Sequence, residues 1–162
     1  MLDKRNFYIN GKWVSPSKPN NFEVIDPSTE EPFAIISLGS IEDTDKAISA
    51  AKNAFETWRE SSKEKRLSLL EKFDQIYNRR WDEMVKAQST EMGAPLDYAS
   101  ETHTKMGADI SKNTIKILKD FNFEHQFDPK SNNHIRYEPI GVCGLITPWN
   151  FPMNQIVLKV IP

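Results

Sequence analysis

Few side chains in this sequence are of a kind that does chemistry, and their spacing narrows the field further. Cys143 is the only thiol, set in the apolar run Val142-Cys143-Gly144-Leu145-Ile146 with no base or cation beside it. Nothing there marks a reactive thiol, so it reads as a small buried hydrophobe and not as a nucleophile. His103, His125 and His134 are scattered, with no second ligand at metal spacing, which argues against a zinc centre. Acid pairs such as Glu30-Glu31 fall in turns and read as solvent-facing. Gly141 and Gly144 do not extend into the G-x-G-x-x-G pattern of a phosphate-cradling loop.

What remains is the turn Thr147-Pro148-Trp149-Asn150-Phe151-Pro152. Its prolines restrict the backbone, and its tryptophan can wedge against a neighbour. Asn150 then stands at the carboxyl end of an expected strand, just before a helix. In open α/β sheets that position borders the ligand crevice. Two readings are open. The Asn150 amide can donate to an oxyanion as it forms in acyl chemistry, or the side chain can cap the helix by accepting from an orphan backbone N–H.

The elements that hold this turn are legible upstream. Phe7-Tyr8-Ile9 and Lys12-Trp13-Val14 flank Asn10-Gly11, the signature of a hairpin with a type I′ turn. Ser15 to Asn21 reads as a loop, Phe22 to Ile25 as a strand, and Phe33 to Leu38 as its partner. Ser40 with Asp43 three residues on predicts a helix start, and Ala47, Ile48, Ala51, Phe55 and Trp58 follow at helical spacing. A second cap at Ser61 predicts one long helix with Leu67, Leu70, Phe73, Tyr77, Trp81 and Met84 as its buried stripe, ended by Gly93 and Pro95. A further helix is expected from about Leu96 to Phe121, with Met106, Ile110, Ile117 and Leu118 along one face. Phe121 to Asn133 reads as polar and irregular, and His134 to Glu138 as an extended arm that pairs with another element. Val142 to Thr147 has the nearly all-apolar look of a strand buried on both faces of a parallel sheet. From Phe151 onward, Met153, Ile156, Val157 and Val160 predict a helix.

The bulk properties bound the function. The 162 residues carry 21 basic and 23 acidic side chains, a net charge of −2, so no one-signed basic face offers itself to nucleic acid. Lys63-Glu64-Lys65-Arg66 and Arg79-Arg80 read as solvated helix faces. The single cysteine allows no internal disulfide and favours a reducing compartment. No stretch approaches the run of about 18 apolar residues that spans a bilayer, and a cytoplasmic location is the expectation. Mean hydropathy is −0.58, low for a chain that buries itself completely.

The block Glu138-Pro139-Ile140-Gly141-Val142-Cys143-Gly144-Leu145-Ile146-Thr147-Pro148-Trp149-Asn150-Phe151-Pro152 resembles the aldehyde dehydrogenase superfamily. The similarity runs through the whole chain, taking in Asn10-Gly11-Lys12-Trp13, Asp26-Pro27-Ser28-Thr29-Glu30, Ala47 to Trp58 and Glu91-Met92-Gly93-Ala94-Pro95. The fold it implies is α/β, the amino-terminal part of that family's fold: antiparallel hairpins and helices, then the start of a Rossmann-like parallel sheet. Residues 1–125 would belong to the cofactor-binding domain, 126–139 to an extended oligomerisation arm, and 140–162 to the first strand–turn–helix of the sheet.

The activity implied is oxidation of an aldehyde to a carboxylic acid with NAD or NADP, in a homo-oligomer, dimer or tetramer. By resemblance, Asn150 falls on the family's oxyanion-stabilising asparagine. Ile146, Thr147, Pro148 and Trp149 fall on the segment lining the adenosine-ribose side of the cofactor. Met106, Phe151, Asn154 and Leu158 fall near positions that line the substrate tunnel, and the polar Asn154 leans towards a small or polar aldehyde. Val24, Ile25 and Glu91 match positions that hold a monovalent cation in some relatives. The family's nucleophilic cysteine and general-base glutamate fall beyond the position matching Pro162, and Cys143 is not that nucleophile. The expectation is a segment of a longer enzyme, inactive alone. The alternative is a naturally short, non-catalytic module that assembles with longer relatives.

Overall fold

Asn10 and Gly11 both adopt positive φ, 52° and 74°, and close the hairpin of β2 (Phe7–Ile9) and β3 (Lys12–Val14) as their residue types require. A computed structural model describes all 162 residues. The main sheet joins β4 (Asn21–Asp26) antiparallel to β5 (Glu31–Ser37), and β1 (Leu2–Asp3) lies parallel on the other side of β5. The parallel strand β1 has only two residues, too few for any sequence pattern to announce it.

Helix α1 (Ile41–Trp58) begins in the expected capping box: Ser40 Oγ accepts from the Asp43 amide at 3.2 Å, and the Asp43 carboxylate accepts from the Ser40 amide at 3.0 Å. Asp43 also accepts from the Ser17 amide at 2.9 Å, tying the loop after β3 to the helix start. The second cap falls on Ser62 and not on Ser61: Ser62 Oγ accepts from the Lys65 amide at 3.2 Å. The long helix expected beyond it is two, α2 (Lys63–Arg79) and α3 (Trp81–Met92), broken at Arg80 with φ −100° and ψ 22°. The apolar stripe survives the break because Leu67 through Met84 all stay wholly or partly buried. Gly93 ends α3 in the left-handed region at φ 68°, and a β-carbon there would stand 3.0 Å from Pro27 Cγ.

The helix expected from Leu96 to Phe121 also differs. A short α4 (Leu96–Tyr98) runs into a π-helical turn, Ala99–Thr104, and only then into α5 (Lys105–Asp120). Its inward face is only partly the expected one: Ile110 packs against the core and Leu118 is half-buried. Met106 and Ile117 are exposed, while His103, Thr104, Gly107, Ala108 and Ser111 are buried. Small side chains let α5 approach α2 and α6 (Pro152–Val160) closely, and Tyr77, Ala108 and Val157 form the core there, flanked by Phe73, Trp81, Ile110, Met153 and Ile161.

Beyond α5, part of the segment read as irregular is β6 (Glu124–Gln126), which pairs antiparallel with β7 (His134–Arg136), so the arm does find a partner strand. The expected strand Val142–Thr147 is not formed. It lies in no sheet, and no backbone–backbone hydrogen bond involves residues 138–150. A strand exists only by pairing, and the chain brings no neighbour to it. Cys143 is consequently exposed, contrary to its reading as a buried hydrophobe.

Candidate functional site

The turn that carries Asn150 is held from its carboxyl side. Pro152 is the first residue of α6, where the missing N–H costs nothing because no helical acceptor faces it. Phe151 is the residue before the helix, at φ −144° and ψ 70°, and no side chain caps the helix amides. The capping role for Asn150 is therefore not realised. Asn150 is exposed, and none of the side-chain hydrogen bonds in the chain involves its amide.

Phe151 anchors the turn from below. Its ring packs against the imidazole of His103, centroids 4.6 Å apart and planes at 33°, and Tyr98 meets the same imidazole edge-on at 5.0 Å. His103 is 3% exposed, and its Nδ1 is sealed from solvent without a hydrogen-bond partner. Burial lowers its pKa below the ordinary histidine value, which favours the neutral ring. Neither His103 nor Tyr98 carried a readable signal. The π-helical turn re-aims the side chains of its segment relative to an α-helix, and no spacing rule anticipates that.

Next to this stack lies a buried polar network. The Tyr77 hydroxyl donates to the Thr104 carbonyl at 2.9 Å, and Gln88 Nε2 donates to Thr104 Oγ1 at 2.8 Å. Burial pushes the Tyr77 phenol up to about 12. Gly107 makes room for it, since a β-carbon there would overlap the hydroxyl and stand 3.0 Å from Tyr77 Cζ.

The other sequence-derived positions sort by face. Asn154 and Leu158, four residues apart, follow one side of α6, next to Met153 and Val157 of the packed row, while Phe151 precedes the helix and turns its ring onto His103. Asn154 is half-buried and Leu158 exposed; Met106, one residue before Gly107, is exposed on α5. Ile146 and Trp149 are 88% and 81% exposed, and Thr147 is exposed too. Val24 and Ile25 span a break in the β4–β5 register, and the Pro27–Gly93 contact brings the end of α3 to the turn that follows β4. Burial raises the Glu91 carboxyl above its usual value. There is no group of three or more His, Cys, Asp or Glu side chains able to hold a metal ion, and no helix is long and apolar enough to cross a membrane.

A family model described as the aldehyde dehydrogenase family matches residues 13–162. The chain is 44% identical over 163 residues to a 3-succinoylsemialdehyde-pyridine dehydrogenase from a Pseudomonas species, covering 100% of this chain and 34% of that protein. A crystal structure of an aldehyde dehydrogenase from Bartonella henselae superposes with a TM-score of 0.97 at 52% identity, over 99% of this chain and 34% of that one. A mutant aldehyde dehydrogenase C from Pseudomonas syringae, crystallised with NAD+ and octanal, superposes with a TM-score of 0.92 at 36% identity, over 97% and 32%. The chain thus spans about a third of the length of the relatives it matches.

Proposed function

The chain belongs to the aldehyde dehydrogenase family, and from that premise we propose that it is the part of an NAD(P)-dependent aldehyde dehydrogenase that supplies the oxyanion donor, Asn150. The observation that carries this reading is an amide left free. Asn150 sits on a proline-bracketed turn, exposed, leaving the helix that follows uncapped and making no side-chain hydrogen bond in its own chain.

The surface supports a role inside something larger. Only 12 of 162 residues are buried, and the chain exposes 11836 Å². A compact chain of 18.7 kDa would expose about 8,300 Å². The surplus includes the unpaired run with Ile140, Val142, Leu145 and Ile146, the kind of apolar surface that another part of an enzyme covers.

The residues present fit a dinucleotide. Ile146 and Trp149 offer exposed apolar surface, and the backbone polar groups of 146–149 are unpaired and so free to meet a ribose. When bound, NAD(P) accepts the hydride released as the aldehyde carbon is oxidised. The Asn150 amide donates to the substrate oxygen as negative charge gathers there, a contact stronger in the transition state than in the ground state. The nucleophile and the base belong to segments other than this one, and Cys143 is neither. Val24 and Ile25 carbonyls with the Glu91 carboxylate are proposed to hold a monovalent cation. The β6–β7 arm, within the stretch 126–139 and its base, is proposed to pair between subunits of a cytoplasmic dimer or tetramer.

Purified complete protein, given aldehyde with NAD+ or NADP+, should form reduced cofactor, and the 162-residue chain alone should not. A complete protein that binds neither cofactor nor aldehyde would remove the proposal. The uncovered surface also suits a short assembly module; an intact mass of 18.7 kDa from source cells would favour that second reading.

A further inference from the structure

Among the buried groups outside the expected site, His103 stands apart. It is 97% buried (3% exposed), its Nδ1 has no partner, and none of the chain's hydrogen bonds uses its ring. A buried unpaired nitrogen costs free energy, so what the residue contributes must come from its flat face. That ring lies against Phe151, the residue after Asn150, with the planes at 33°, and Tyr98 meets the same imidazole edge-on. The π-helical turn that delivers His103 to this place is itself a less favourable local geometry, of the sort that clusters at functional sites.

We propose that His103 is a positioning residue: a buried imidazole in contact with both Tyr98 and Phe151 that fixes the Phe151 ring and, through it, the aim of the Asn150 amide. Phe151 has no other stacking partner, and no backbone–backbone hydrogen bond holds the turn before it, so the imidazole is the aromatic contact that holds the residue next to Asn150. Neutrality is built in, because the surroundings that bury the ring disfavour its charged form. The inference rests on the oxyanion reading of Asn150.

The test uses the complete enzyme. His103→Ala is expected to lower kcat about tenfold through misplacement of the donor, with cofactor binding kept. His103→Phe, which restores a flat ring, recovers most of that loss, and His103→Leu, which restores only volume, does not. Added to Asn150→Ala, His103→Ala causes no further loss, since both act through one amide. Undiminished kcat in both the alanine and leucine variants, or a loss that multiplies in full with that of Asn150→Ala, overturns the proposal. If the alanine variant fails to bind cofactor, the comparison of phenylalanine with leucine decides instead. An Asn150→Ala enzyme with unchanged kcat defeats the oxyanion reading itself, so the two failures are told apart.

Discussion

The Tyr77 hydroxyl reaches the Thr104 carbonyl at 2.9 Å through a gap that exists only because residue 107 is glycine. The gap joins α2 to the π-helical turn and sets the level at which α6 docks, since a β-carbon at Gly107 would also meet Val157 Cγ2 at 3.4 Å. Gly107→Ala should therefore push the hydroxyl off its acceptor and destabilise the protein by about 1–3 kcal/mol. Tyr77→Phe should lose about 1 kcal/mol through the missing hydrogen bond alone. Unfolding midpoints measure both. An alanine at 107 with an unchanged midpoint would mean that the helices have room the structure does not show.

Asp43 predicts a pH dependence. Backbone amides of Ser17 and Ser40, with the Ser40 hydroxyl, donate to its carboxylate and hold its pKa well below the usual range. A depressed folded pKa stabilises above the unfolded value of about 4 and stops doing so as pH falls through the folded one. Asp43→Asn should flatten the fall in stability below about pH 4 relative to the parent. Parallel acid-unfolding curves would show that the cap carries no linkage.

Asn154 predicts a substrate preference. It is half-buried on α6, four residues before Leu158, and its side chain has no hydrogen-bond partner in the chain. One relative is named for a semialdehyde, and another was crystallised with octanal. We expect the complete enzyme to favour polar aldehydes in kcat/KM. Asn154→Leu should shift the ratio towards octanal by about tenfold. A parent enzyme that already prefers octanal strongly would remove the argument.

Local signals were readable wherever chain neighbours alone decide conformation. Asn10-Gly11, the Ser40–Asp43 box and the glycine stop at Gly93 all stand as their residue types require. Pairing that depends on distant chain was not readable in full. Val142 to Thr147 has the composition of a central strand, yet composition cannot supply the neighbour a strand needs. The inward face of α5 was legible only in part, at Ile110 and Leu118, because close helix packing also selects Gly107, Ala108 and Ser111, which an apolar stripe does not mark. At the site, the rigid turn was legible from its prolines, and the absence of any capping bond from Asn150 was not. The role proposed for Asn150 rests on resemblance to a family; the His103–Phe151 stack is visible only in the fold.

The central claim is that the Asn150 amide stabilises the forming oxyanion, and Asn150→Ala in the complete enzyme tests it directly. With a deuterated aldehyde used to establish that chemistry limits the rate, kcat should fall about a hundredfold or more while cofactor affinity holds. A kcat equal to the parent's, with that isotope effect in place, would contradict the account.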